Sequence, residues 1–216
     1  MKVKLETWTQ SVDGKNLLEQ IAYVARVSNP SNQTNNETAE RLVNYLMVHK
    51  HWSPLEMVDV TLEIETTRDI ARQILRHRSF VFQEFSQRYA DPTKDLGFVH
   101  KEARLQDAKN RQNSIDVEDQ QLQLEWEQYQ STVLNYSRNA YKWAIDNGIA
   151  KEVARVVLPE GLTTSRMYMK GSIRSWMHYI QIRSGVETQK EHREVAIACA
   201  EAIEPIFPMI RSFING

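Results

Sequence analysis

The 216-residue chain has one cysteine, Cys199, so no disulfide can form within it, as expected of a protein from a reducing compartment. Glycine is sparse and scattered, with seven residues at 14, 97, 148, 161, 171, 185 and 216. Neither G-x-G-x-x-G nor G-x-x-x-x-G-K-[ST] occurs, which excludes a Rossmann dehydrogenase and a P-loop NTPase. Any nucleotide bound here must be held by side chains. Long hydrophobic runs are missing too. The longest, Val195 to Ala200, is far short of a membrane span. The opening MKVKLETW lacks the apolar core of a secretory signal, and a cytoplasmic location without membrane contact is expected. Nor is there an excess of one charge. Lys and Arg number 27 against 28 Asp and Glu, so a basic site must be a local cluster.

The pattern along the chain predicts one α+β domain over residues 1–216, an antiparallel sheet packed with long helices. Val3, Leu5 and Thr7 alternate with charged residues as in a strand. Residues 16–27 read as a helix, and Thr34-x-x-Glu37 as the capping box of another running to residue 49. Val58, Val60, Leu62 and Ile64 alternate with Asp59, Thr61, Glu63 and Glu65 in the cleanest strand. One dry and one polar face imply an antiparallel sheet covered on one side. Thr67 is expected to cap a helix over 68–78, and residues 79–90 read as a strand or extended loop. A long helix is predicted from 114 to 147, with Trp126, Tyr129, Val133, Tyr136, Ala140 and Ala144 as its apolar positions and Gly148 as its stop. Its aromatic residues are expected to be core or subunit contacts. Shorter helices follow over 151–158, 172–183 and 189–203.

Chemistry concentrates between residues 68 and 88, which hold five arginines and only two acids, Asp69 and Glu84. Arg68, Arg72 and Arg76 are spaced by four, and like charges at that spacing destabilise a helix unless anions or acids neutralise them. Guanidinium forks match phosphate oxygens in two-point geometry. A solvated basic face paired with acids from other helices is the bland alternative. The finer pattern Arg76-His77-Arg78, seven residues, then Ser86-Gln87-Arg88-Tyr89 resembles the R-H-R-x7-S signature of the flavin-dependent thymidylate synthases. Further blocks resemble that family in the same order: Ala25-Arg26-Val27-Ser28, His51-Trp52-Ser53-Pro54-Leu55-Glu56, Ala71-Arg72-Gln73, residues 152–159, Arg174-Ser175-Trp176-Met177-His178, and Arg183. Departures are Val81 and Gln83, where a longer form of the signature has Ser and Asn, and Ser172, where some members carry Asn.

The resemblance implies reductive methylation of dUMP to dTMP. Its carbon donor is 5,10-methylenetetrahydrofolate, and NADPH supplies hydride through FAD. It assigns dUMP to Gln73, Arg76, Glu84, Ser86, Arg88, Arg155 and Arg183. FAD falls to His51, Ser53, Arg76, His77, Arg78, Glu84, Ser172, Arg174 and His178. Arg183 becomes the catalytic group, because a guanidinium beside the N3–O4 edge of uracil stabilises the N3-deprotonated ring and so activates C5. Arg174 and His178 share a helix face while Arg183 lies ~180° away at 100° per residue. That suits a homotetramer with sites assembled at subunit interfaces, also implied by the family.

Activation by a cysteine adding to C6 requires a thiolate in an electropositive pocket. Cys199 lies in Ala196-Ile-Ala-Cys-Ala200, an apolar stretch where a thiol packs. Ser86 is expected to bind phosphate rather than attack. No metal is expected, since His49 and His51 point apart on a helix without partners at ligand spacing. His49 and Lys50 instead suit the helix C-terminus, and His100 and His192 read as surface residues. Two rivals predict different behaviour. A nucleic-acid-binding protein would use the arginine cluster on a phosphate backbone, which the near-zero net charge opposes. An inactive homologue would keep the fold without turnover.

Overall fold

A computed structural model describes residues 1–215. In chain order its elements are β1 (Lys2–Trp8), α1 (Leu17–Ala25), α2 (Ala39–Val48), β2 (Asp59–Thr67), α3 (Arg68–Ile74), β3 (Val81–Glu84), α4 (Pro92–Asp95), β4 (Arg104–Gln106), β5 (Ser114–Asp116), α5 (Gln120–Asp146), α6 (Lys151–Ala154), β6 (Thr164–Ser172), α7 (Ile173–Arg183) and α8 (Lys190–Ile203). The expected α+β mixture with an antiparallel sheet is present. The main sheet has the order β1-β2-β6-β3 with every neighbour antiparallel.

Val60, Leu62 and Ile64 of β2, with Met167 and Met169 of β6, point to the buried face. There they pack with Trp176, Tyr179 and Ile180 of α7 and Val195, Ala196 and Cys199 of α8 in one core. The Trp176 indole N–H donates to the Val60 carbonyl at 3.0 Å, tying α7 to the sheet. The opposite face is polar: Tyr168 donates to Glu63 at 2.7 Å, and Lys170 pairs with Asp59 at 2.9 Å. Gly171 on β6 is required by space, because a Cβ there would lie 2.5 Å from a Phe80 ring carbon. The missing side chain lets Phe80 lie against the strand.

Four local expectations need correction. The 34–37 capping box does not form. The buried Arg26 guanidinium instead binds the Asn35 carbonyl and the Thr38 hydroxyl (2.7 Å), and α2 starts at Ala39. The nearby capping box is Asn16–Glu19, whose reciprocal bonds are 3.0 and 2.9 Å. Helix α3 ends at Ile74, so Arg76, His77 and Arg78 lie in the turn beyond it rather than on its face. The long helix begins at Gln120 under the Asp119 cap. Residues 114–116 belong to a hairpin with β4, whose turn is held by Asp107 accepting from the Lys109 and Asn110 N–H groups.

The fourth correction concerns which face of α5 is buried. Gln130, Leu134, Ser137, Tyr141 and Ala144 face inward, while Trp126, Tyr129, Val133, Tyr136 and Trp143 are exposed. Of the predicted apolar positions only Ala144 is buried. The cause is polar. Gln130 exchanges two 2.8 Å hydrogen bonds with the Lys101 backbone, and Gln123 donates to Ala103 at 2.9 Å. These amides hold an irregular segment against the helix. Gly148 stops α5 as expected, at φ +77°.

Candidate active site

The arginine cluster divides. Arg68 lies 3.5 Å from Glu84, and Arg72 makes a two-point pair with Glu160, its Nε donating at 2.7 Å. For these two the bland alternative is right about pairing, although the acids lie on β3 and in the turn at Glu160 rather than on helices. Arg76, Arg78, Arg155 and Arg183 have no carboxylate within 4.0 Å among the described residues. Cations left unpaired around one turn and its neighbours form a site fitted to anions.

His77 lies between Arg76 and Arg78 in that turn. Arg183, the last residue of α7, donates from Nε to His77 Nε2 at 3.0 Å. The accepting nitrogen carries no proton, so the ring is neutral with its hydrogen on Nδ1. Burial, with Arg183, His178 and Arg76 acting in the same direction, lowers the His77 pKa to about 4. The Tyr179 ring packs edge-on against His77 with centroids 4.9 Å apart. Anchoring through Nε leaves the two terminal nitrogens of Arg183 free to face a ligand. Gln73, one turn before the signature, is held from behind by Gln189 at 2.8 Å.

A second group forms where β3 leaves the sheet. Glu84 accepts from the Ser165 hydroxyl at 2.8 Å. Beyond it the chain turns, with the Tyr89 and Ala90 N–H groups bonding the Ser86 carbonyl and the Arg88 N–H reaching the Ser86 hydroxyl at 3.4 Å. Arg88 lies 3.3 Å from a Glu152 carboxylate oxygen, and Arg155 donates to the Glu152 carbonyl at 3.2 Å. Arg68, Arg72, Gln87 and Arg155 line an open cavity of about 400 Å³. The Gln87 side chain is buried, and its Nε2 has no partner among the described residues.

The third group surrounds Glu56, the last residue of the His51–Glu56 block. Glu56 accepts from the Ser172 hydroxyl at 2.6 Å and from Arg174 at 2.9 Å. Ser172 also caps α7 by accepting from the Ser175 N–H. These residues line a cavity of about 350 Å³ with Ser79 and Gly171, sharing no lining residue with the cavity at Arg155. Arg174 and His178 are both exposed, one turn apart. Ser53 opens the short 3-10 turn that carries Glu56. His51 lies exposed beside Tyr45, 6.1 Å between ring centroids. Arg26 and Ser28 of the Ala25–Ser28 block line a further cavity of about 540 Å³ with Arg41 and Tyr45.

Histidine and cysteine outcomes differ. His49 caps α2, its Nδ1 2.9 Å from the Tyr45 carbonyl. His192, expected at the surface, is completely buried. Cys199 is also completely buried, and desolvation drives its thiol well above the ordinary range. No thiolate is available there.

The family profile described as "Thymidylate synthase complementing protein" matches residues 12–209. The chain belongs to this family. It is 49% identical to a probable flavin-dependent thymidylate synthase of Paramecium bursaria Chlorella virus 1, over 100% of this chain and 99% of the relative. Identity is also 49% to the flavin-dependent thymidylate synthase of Synechocystis, covering 94% of this chain and 93% of that one. The crystal structure of a UMP/dUMP methylase from Streptomyces cacaoi bound with 5-Br dUMP shares the fold. It superposes with a TM-score of 0.79 at 24% identity, covering 98% of this chain and 93% of that one.

Proposed function

We propose that this chain is a thymidylate synthase that methylates dUMP reductively to dTMP, taking its carbon from 5,10-methylenetetrahydrofolate. Bound FAD, reduced by NADPH, supplies the hydride. The observation that carries the reading is the Arg183–His77 contact, which joins the proposed catalytic group to the R-H-R turn. His77 holds Arg183 by one nitrogen, and the remaining fork lies against the N3–O4 edge of uracil, where it stabilises the deprotonated ring. Ser86, Arg88 and Arg155 take the phosphate, with Gln73, Arg76 and Glu84 around the nucleoside. The unpaired Arg76 and Arg78, with His77, His178, Arg174, Ser172, Ser53, Glu84 and His51, suit a dinucleotide carrying a pyrophosphate. Burial of Cys199 supports activation without a covalent bond to sulfur.

The site groups line separate cavities within one chain, and α5 exposes Trp126, Tyr129, Val133, Tyr136 and Trp143 at helical spacing. Both features support a homotetramer that completes its sites between subunits and buries that stripe. We take residues 1–216 as one domain acting in the cytoplasm on small molecules; among the described residues no helix is long and apolar enough to cross a membrane. The deciding experiment is a dTMP-forming assay dependent on dUMP, methylenetetrahydrofolate and NADPH. The purified protein should be yellow, with absorbance near ~450 nm. A colourless protein that takes up no added FAD, or tight salt-dependent binding to long DNA without turnover, would reverse the reading.

A further inference from the structure

Behind Gln73 runs a chain of polar groups, buried at His192 and Tyr179 and partly buried at Gln189 and Glu191, for which the chemistry proposed above has no use. His192 on α8 is completely buried, yet both ring nitrogens are engaged. Nδ1 lies 3.2 Å from Gln73 Oε1, and Nε2 lies 3.2 Å from the Tyr179 hydroxyl. Gln73 Nε2 donates to Gln189 Oε1 at 2.8 Å, and Gln189 Nε2 donates to Glu191 at 2.9 Å. Glu191 also accepts from Arg104 at 2.7 Å. Burial alone would raise the Glu191 pKa, but hydrogen bonds from its own backbone, Arg104 and Gln189 hold it below the usual value.

The direction of every bond follows from that end. An ionised carboxylate only accepts, so Gln189 must turn its NH2 to Glu191 and its oxygen to Gln73. Gln73 must then turn its NH2 to Gln189 and its oxygen to His192. The His192 proton therefore sits on Nδ1, and Nε2 accepts from the Tyr179 O–H. A flipped Gln73 amide would set NH2 against an N–H at the His192 end and oxygen against oxygen at the Gln189 end, and at the fully buried His192 the mismatch has no other partner to relieve it. Burial, with Arg183 and His77 adding to it, lowers the His192 pKa to about 3, which agrees with a neutral ring.

We propose that His192 is a positioning residue for the nucleotide: with Gln189 it locks the Gln73 amide in one orientation, leaving one N–H and one oxygen lone pair for the pyrimidine edge. A pyrimidine presents a carbonyl beside an N–H, and only a fixed amide meets both in register. This inference rests on the assignment of Gln73 to dUMP. His77 also packs against Tyr179, with its ring 6.4 Å from that of His192, so the same tyrosine borders both the lock and the Arg183 anchor.

Calorimetric titration of the FAD-loaded enzyme with dUMP tests the proposal. Failure of the unmutated protein to bind dUMP would sink the functional reading and this inference together. Given binding, His192→Leu and His192→Met, which fill the space without a donor, should weaken dUMP about tenfold with flavin content unchanged. His192→Gln, which can still donate to Gln73, should stay within about threefold of the parent. In a Gln73→Ala background the His192→Leu loss should vanish, since the residue acts through that amide. Unchanged affinity in a folded Leu or Met variant overturns the proposal, as does an equal loss in both backgrounds. So does a His192→Gln protein that no longer retains the nucleotide, whether or not the other variants fold.

Discussion

Arg68 and Arg72 lie within ten residues of Arg76 and Arg78, yet the two pairs lead different lives. The first pair sits on a helix and finds Glu84 and Glu160; the second lies in the turn after Ile74 and finds no acid among the described residues. Proximity in sequence built one basic cluster, and the fold split it into a half neutralised by acids and a half without them. The lesson is that a charge run becomes informative once its neutralised members are removed. Arg183, about one hundred residues further on, then belongs with the Arg76–Arg78 turn, and Arg155 opens on the cavity beside the neutralised pair.

The strongest test of that division is Arg183→Ala, which should keep flavin absorbance while dTMP formation falls at least ~100-fold, the order seen when one preorganised electrostatic donor is removed. Equal turnover in the variant would dissolve the link between the two regions. Next, Arg78→Ala should weaken FAD by roughly tenfold or more, as expected for a charged hydrogen bond to a phosphate. Arg72→Ala should leave FAD binding alone and cost at most ~1 kcal/mol of stability, because its pair with Glu160 is exposed. Comparable flavin loss in both would erase the distinction.

A pH series adds a smaller effect. The folded pKa values of His77 and His192 lie at about 4 and about 3, below the ordinary 6.5, so the unfolded chain binds more protons between those limits. Stability is therefore full above 6.5 and declines as pH falls toward 4, by no more than about 1.4 kcal/mol per pH unit for each histidine. His77 is only half buried, so solvent screening reduces its share. Thermal midpoints measured between pH 7 and 5 should fall, and His192→Gln should flatten the slope. The smallest expected change is Cys199→Ala, which removes only a buried thiol and should retain activity with a loss of ~1 kcal/mol. Lost turnover in a folded variant would restore sulfur chemistry.

Much of the molecule was legible because local pattern and burial agree. The alternation at 58–65, the Gly148 stop and the apolar setting of Cys199 each reflect a single dominant force. Strand β6 was not read, since Thr-Ser-Arg-Met-Tyr-Met-Lys-Gly-Ser has few branched residues; pairing with β2 and β3 on both sides makes it central. The inward face of α5 does not stand out in the sequence because it mixes Gln130 and Ser137 with Leu134, Tyr141 and Ala144, while the aromatic residues face outward. His192 was misplaced because its partners, Gln73 and Tyr179, lie 119 and 13 residues away. The R-H-R signature marks the turn proposed to hold ligands, and the fold adds that Arg183 rests on His77.

The gap at Gly171 carries a consequence for the flavin side of the molecule. Phe80 fills the hollow that a methyl group would take, and Phe80 is two residues from Arg78. The reach of that arginine is thus calibrated by an atom left out of the central strand. A spacer as small as the alanine methyl would lever the turn outward, so the grip on a ligand can be tuned from the backbone of the central strand, at a residue that itself lines the neighbouring cavity.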